Sequence, residues 1–157
     1  MLSIFRLLVS ILICQLAGVV GSFFTFRSLV EWYAFIRKPP FTPPDSVFGP
    51  VWITLFTMMG ISLFLVLQKG LKNGVARGAI LIFFMQLALN MLWSIIFFGA
   101  RFIAGGFVVI IILWLAIFWN IKKFFVISKP AAILLLPYII WVSFAVILNF
   151  SLLILNM

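Results

Sequence analysis

Long apolar runs, broken by short basic or proline-rich stretches, dominate the pattern of hydrophobic and polar positions. The runs cover about 3–26, 47–68, 78–98, 102–121 and 130–156. Each has roughly the 20 residues that a helix needs to cross the hydrocarbon of a bilayer. None alternates with the period of two expected of a membrane strand. A segment in lipid must satisfy its own backbone hydrogen bonds, so these runs predict helices. The expected fold is an all-α integral membrane protein. Residues 1–157 form a single bundle of five transmembrane helices, with a long proline- and aromatic-rich loop, 27–46, between the first two. Arg6, the apolar stretch after it and Ala17-Gly18 have the outline of a secretory signal. The run continues to Phe26, however, beyond the ~7–15 apolar residues of such a signal, which favours a retained first helix.

The breaks carry most of the charge. The chain has 11 Lys+Arg against two acids, Glu31 and Asp45, giving a formal net charge of +9, and its mean hydropathy is +1.40. A basic chain can signal nucleic-acid binding. Here the cations punctuate apolar runs instead of forming a soluble face, so the expected environment is the lipid bilayer and no nucleic-acid partner is expected. Arg6, Lys69, Lys72, Arg77, Lys122, Lys123 and Lys129 fall on one side of the predicted bundle, and Arg27, Arg37, Lys38 and Arg101 on the other. That bias predicts a cytoplasmic N-terminus. In the 27–46 loop, Pro39, Pro40, Pro43 and Pro44 impose a stiff, extended course. Two readings stand: a lid over the bundle, favoured by the length of the loop, or an aromatic belt at the headgroups.

Polar and aromatic residues inside the runs fall on helical faces. Gln86, Asn90 and Trp93 share one face of the third helix, with Ser94 beside them. Pro137, Trp141, Ala145 and Asn149 repeat every four residues in the fifth, Phe48, Trp52 and Phe56 in the second, and Gln15, Gly18 and Ser22 line up in the first. One reading is a cavity near the long loop, walled by Trp52, Trp93 and Trp141, with Asn90 and Gln86 orienting a flat apolar ligand. The other is that the amides hold helices together and the indoles pack or sit in the belt. Conventional chemistry has little to work with. There is no histidine, and the one cysteine, Cys14, lies in the first run. That removes an intrachain disulfide, His-based nucleophilic catalysis and the usual metal-ligand sets, so no metal site is expected. A proton-coupled carrier would want buried carboxylates, whereas Glu31 and Asp45 both fall in the loop.

Three motifs carry a resemblance to a known family. Trp32-Tyr33-Ala34-Phe35-Ile36-Arg37-Lys38-Pro39-Pro40-Phe41-Thr42-Pro43-Pro44, followed by Phe48-Gly49-Pro50-Val51-Trp52, is the first. The others are Gln86-Leu87-Ala88-Leu89-Asn90-Met91-Leu92-Trp93-Ser94 and the stretch from Pro137-Tyr138 through Trp141 and Ala145 to Asn149. Together, and in this order, they resemble the translocator protein family, whose bacterial members are the tryptophan-rich sensory proteins. The resemblance covers nearly the whole chain. It implies a five-helix bundle in the bacterial cell membrane, often a homodimer, with a pocket capped by the first loop. It also implies binding of porphyrins such as protoporphyrin IX and of benzodiazepine-site ligands, with no required cofactor. Carried over by motif, the pocket residues are Trp32, Tyr33, Phe48, Trp52, Asn90, Trp93, Trp141 and Ala145. For some bacterial relatives the resemblance further implies light- and oxygen-dependent porphyrin degradation, in which Trp52 and Trp141 are the matching catalytic positions. A transporter and a ligand-regulated sensory scaffold remain open as alternatives. The Tyr-then-base pattern for sterols that follows the fifth-helix asparagine in animal relatives is missing here: Asn149 is followed by Phe150-Ser151-Leu152-Leu153-Ile154-Leu155-Asn156-Met157.

Overall fold

A computed structural model describes residues 2–70 and 74–157; Leu71, Lys72 and Asn73, with the expected side of Lys72, lie outside the described residues. All regular elements among the described residues are helical. Helix α1 is Leu2–Ser28, α2 Asp45–Gln68, α3 Gly74–Ser94, α4 Ile103–Ile127, α5 Lys129–Leu134 and α6 Leu136–Leu155, with single π-helical turns at Leu29–Tyr33 and Ile95–Gly99. Five stretches are long and apolar enough to cross a bilayer: Ser3–Tyr33, Asp45–Gln68, Gly74–Gly99, Ile103–Ile127 and Lys129–Leu155. The protein is therefore a five-span integral membrane protein.

Several helix ends differ from the expected ones, for a common reason. An apolar run measures hydrocarbon thickness, whereas a helix persists wherever its own backbone bonds persist. The first span continues past Phe26 to Tyr33, so the connection that lacks regular helix is Ala34–Pro44, shorter than the expected 27–46. Arg27 and Glu31, spaced i, i+4, pair at 2.9 Å and favour that extension. α3 begins at Gly74 instead of 78, and α4 continues to Ile127 instead of 121. Lys122, near the end of α4, lies over the rings of Phe118 and Trp119 at 5.1 and 5.9 Å, its stem along the helix and its charge at the rim. The last span has a break at Leu135. Pro137 has no N–H to give the carbonyl of Ile133, and at the break the Leu135 N–H makes a tighter turn to the Ala132 carbonyl at 3.1 Å.

Helix neighbours define a ring. α1 lies between α2 and α3, α3 against α4, α4 against α5 and α6, and α5 returns to α2. Lipid tails offer helices no hydrophobic gain on association, so close packing and small residues decide where they touch. At Gly60 the α1 and α2 backbones approach so closely that an added Cβ would lie 2.5 Å from Ile11 Cα. The half of the bundle away from the Ala34–Pro44 connection is solid, built around Met59, Leu63, Phe83, Ile117, Phe124 and Leu135. Phe83 stacks on Phe124 there, with ring centroids 5.8 Å apart. Large apolar side chains on the outside, such as Phe23 and Val126, are exposed as expected of a surface that meets lipid.

Gly60→Ala is expected to lower stability by roughly 1–3 kcal/mol, because the added methyl meets backbone that cannot turn aside. A thermal unfolding midpoint in detergent checks this; an unchanged midpoint would show that the α1–α2 approach is not tight.

Candidate functional site

The other half of the bundle is hollow. Between α1, α2, α3 and α6 lies a cavity of about 480 Å³, within the ~300–1,000 Å³ usual for small-molecule pockets. Chain direction explains its position. The C-terminal parts of α1, α3 and α6 and the N-terminal part of α2 meet at this end, and each brings one of the polar–aromatic faces seen in the sequence.

Three indoles line the cavity, each held by another ring. Trp52 of α2 stacks on Phe56 at 5.5 Å and meets Tyr138 edge-on at 6.3 Å. Trp141 of α6 has Phe48 at 5.9 Å and Phe144 at 5.6 Å. Trp93 of α3 stacks on Phe97 at 5.4 Å. Such contacts fix ring planes, so the walls are preformed. The polar lining is sparse. Gln15 Nε2 donates to the Ile53 carbonyl at 3.0 Å and to Thr57 Oγ1 at 2.9 Å, binding α1 to α2. Asn90 Nδ2 donates to the Tyr138 hydroxyl at 3.1 Å, and both residues are buried. Cavity and helix-to-helix readings are thus met by the same side chains.

Of the residues expected from the sequence, Tyr33, Phe48, Trp52, Asn90, Trp93, Trp141 and Ala145 line this one cavity. Two expected residues do not. Trp32 lies outside it, edge-on to Phe97 at 5.6 Å, while Tyr33, one helical step on from Leu29, enters the wall. Gln86 is fully buried one turn below Asn90, with neither amide atom partnered. Helical spacing put it on the right face, but Asn90 lines the cavity while its partner Tyr138 does not, so the space ends at that pair. Phe97, Phe98, Leu148, Asn149 and Leu152 also line the cavity and were not expected there. Their only signals were the i+4 step from Trp93 to Phe97 and the Trp141–Ala145–Asn149 stripe.

The rim is held by polar ties. Glu31 accepts from Arg27 at 2.9 Å and from Arg101 at 2.7 Å, joining the end of the first span to the α3–α4 turn. Arg101 holds the left-handed conformation there, with φ 53°. Asn156, just beyond α6, accepts from the Arg37 N–H at 3.0 Å and donates to the Arg37 carbonyl at 2.9 Å. One side-chain amide thereby pairs with the backbone of the Ala34–Pro44 strap as a neighbouring strand would. Phe41 adds an edge contact to Phe144 at 6.4 Å, and Lys38 lies 4.6 Å above the Tyr33 ring. No residue of 34–44 lines the cavity; its edge there is formed by Tyr33, Asp45 and Ser46. Phe35, 82% exposed, points away, as a belt residue would.

These features define a membrane-embedded helical protein with an aromatic-lined cavity. Comparison with known sequences makes the class specific: the TspO/MBR family profile matches residues 10–155. The tryptophan-rich protein TspO of Archaeoglobus fulgidus is 44% identical over 155 residues, covering 99% of both chains. That of Chlorobaculum tepidum is 43% identical over 144 residues, covering 92% of this chain and 91% of its own. The human translocator protein is 37% identical over 139 residues, 87% of this chain and 81% of its own. The protein belongs to the TspO/MBR family.

Asn156→Leu keeps the bulk but removes both bonds to Arg37. Amide exchange at Arg37 is expected to rise about tenfold or more while the α4 core stays protected. Hydrogen-exchange mass spectrometry reads this, and unchanged protection would show that the proline-rich strap needs no tie.

Proposed function

We propose that the protein is a membrane receptor for flat, largely apolar ring systems, with tetrapyrroles such as protoporphyrin IX the leading class, bound in the cavity between α1, α2, α3 and α6. One observation carries the reading: Trp52, Trp93 and Trp141, far apart in sequence, converge on one preformed cavity of about 480 Å³. Rings held by rings offer stacking surfaces without the entropy cost of ordering them. Planar ligands of the benzodiazepine-site type suit the same walls. Val19, Phe26 and Ile53 line the cavity and are well exposed apolar residues, which favours an apolar ligand of the kind that partitions into the bilayer. The charge bias of the loops supports a cell-membrane protein with its N-terminus cytoplasmic and the cavity toward the opposite face.

A light-driven reaction is the catalytic extension of this reading. The porphyrin would serve as sensitiser and dioxygen as oxidant. The excited pigment takes an electron from Trp52 on α2 or Trp141 on α6 and passes it to dioxygen as superoxide. The indole radical recovers its electron from the macrocycle, and the resulting porphyrin radical cation combines with superoxide, so that the net change is addition of dioxygen to the pigment. Both indoles line the cavity, from different helices, which supports contact with a bound macrocycle.

A spectral titration with protoporphyrin IX, first dark and then illuminated in air, is expected to show saturable binding and protein-dependent loss of the Soret band. Trp52→Phe and Trp141→Phe are expected to retain binding within about tenfold, since a phenyl ring still stacks, and to slow the light-dependent loss. Binding with unaltered loss in both variants overturns the electron-donor role; absence of saturable binding overturns the porphyrin reading.

A further inference from the structure

The end of the bundle opposite the cavity is basic, with no acidic side chain to balance it. The chain's two acids both sit at the cavity end, Glu31 between Arg27 and Arg101 and Asp45 on the cavity edge. Lys122 and Lys123 lie near the end of α4 and Lys129 opens α5, and all three are exposed.

Two of these lysines belong to one stripe of rings. Trp114, Phe118, Lys122 and Phe125 are spaced so that they share one face of α4. Lys122 Nζ lies 5.1 Å from the centre of the Phe118 ring, and Lys129 Nζ 5.7 Å from that of Phe125. The stripe is braced from below. Phe118 stacks on Trp114 at 5.6 Å, and the Trp114 indole donates to Ser143 Oγ of α6 at 2.8 Å. Phe125 and Trp119 are 53 and 55% exposed.

Exposed rings on a membrane span meet lipid, so the lysines beside them stand at headgroup level with their stems along apolar surface. An ammonium over a ring face still has N–H donors directed away from it. No charge of opposite sign is supplied by a side chain at this end of the bundle. A phosphodiester with acyl chains supplies all that the corner lacks: negative charge, acceptor oxygens and an apolar tail to cover the rings.

We propose that the α4–α5 corner binds an anionic phospholipid, its phosphate held by Lys122 and Lys129 and its acyl chains along Phe118 and Phe125. Lys123, next to Lys122, adds to the attraction. A zwitterionic lipid is disfavoured, because its own headgroup cation meets the lysines. This site is separate from the cavity and does not depend on what the cavity binds.

The test uses the full chain in nanodiscs of equimolar phosphatidylcholine and phosphatidylglycerol, with the acyl chains of one lipid or the other brominated. Bromine quenches indole fluorescence on contact. Trp119 is the reporter, since Lys122 Nζ lies 5.9 Å from its ring. Its signal is the difference between each protein and the matching Trp119→Phe protein. Brominated phosphatidylglycerol is expected to quench Trp119 about threefold more than brominated phosphatidylcholine. Lys122→Gln with Lys129→Gln is expected to bring that ratio close to unity. Arg6→Gln with Lys69→Gln removes the same charge from the same end, on α1 and after α2, and is expected to leave the ratio unchanged. Lys122→Arg with Lys129→Arg keeps charge and phosphate donors and is expected to keep the ratio. All four positions are exposed, so thermal midpoints are expected to stay at the wild-type value. Single Lys129→Gln, expected to lower the ratio part-way, decides the matter if the double glutamine variant does not fold. Equal quenching by the two lipids in wild type overturns the proposal. So does a ratio that survives the loss of Lys122 and Lys129, or one lowered equally by the loss of Arg6 and Lys69, which would show diffuse charge in place of a site.

Discussion

No water reaches the backbone of a chain immersed in hydrocarbon, so every N–H and C=O there must be satisfied within the chain. The rest of this structure follows from that constraint. It makes each apolar run a helix; past the run, through Arg27 to Tyr33 and through Lys122 to Ile127, the helix continues on its own backbone bonds. At Pro137 the last span departs from regular helix, and the Leu135 N–H keeps a partner by a tighter turn to Ala132. Irregular backbone is confined to the bundle ends, the strap Ala34–Pro44 among them.

The same solvent removes the ordinary driving force for packing helices together. Contact then depends on how closely backbones can approach and on the few polar groups that reach across. At one end Gly60 lets α2 lie against Ile11 of α1, and stacked rings such as Phe83 and Phe124 fill the interior. At the other end bulky indoles face inward from α2, α3 and α6, each braced by a neighbouring ring, and the helices cannot close over them. The cavity is thus a consequence of where small and large residues fall along the spans. Bonds such as Gln15 to Thr57 and Asn90 to Tyr138 keep it open in one shape.

Polar ties at the rim give the cavity end a definite form without enclosing it. Glu31 between Arg27 and Arg101 joins the first span to the α3–α4 turn, and Asn156 holds the strap by the Arg37 backbone. Four prolines make the strap stiff, but stiffness alone does not say where it lies. The structure sets it beside the cavity edge, with Phe41 against α6 and Phe35 turned outward. The strap therefore borders the cavity without lining it.

Much of this was legible in the residues alone. Hydropathy and length are properties of a segment, and they determined the five spans, their helical state and the bilayer environment. Periodicity is likewise local: it named the faces that carry Phe48, Trp52, Asn90, Trp93, Trp141 and Ala145, all of which line the cavity, while Tyr33 was expected only from the family resemblance. Residues whose position depends on a neighbouring element were beyond its reach. Trp32 and Tyr33 are adjacent in sequence but face different ways, Tyr33 into the cavity and Trp32 onto Phe97. Gln86 shares a face with Asn90, yet the Asn90–Tyr138 bond, made across 48 positions, ends the cavity before it. Phe97 and Leu148 joined the wall because their side chains pack in one cluster at the cavity end, and Asn156 reached Arg37 across 119 positions. A sequence encodes what each helix presents along its own axis. How deep each face sits, and which partner it meets, depends on distances between helices, and those exist only once the bundle has packed.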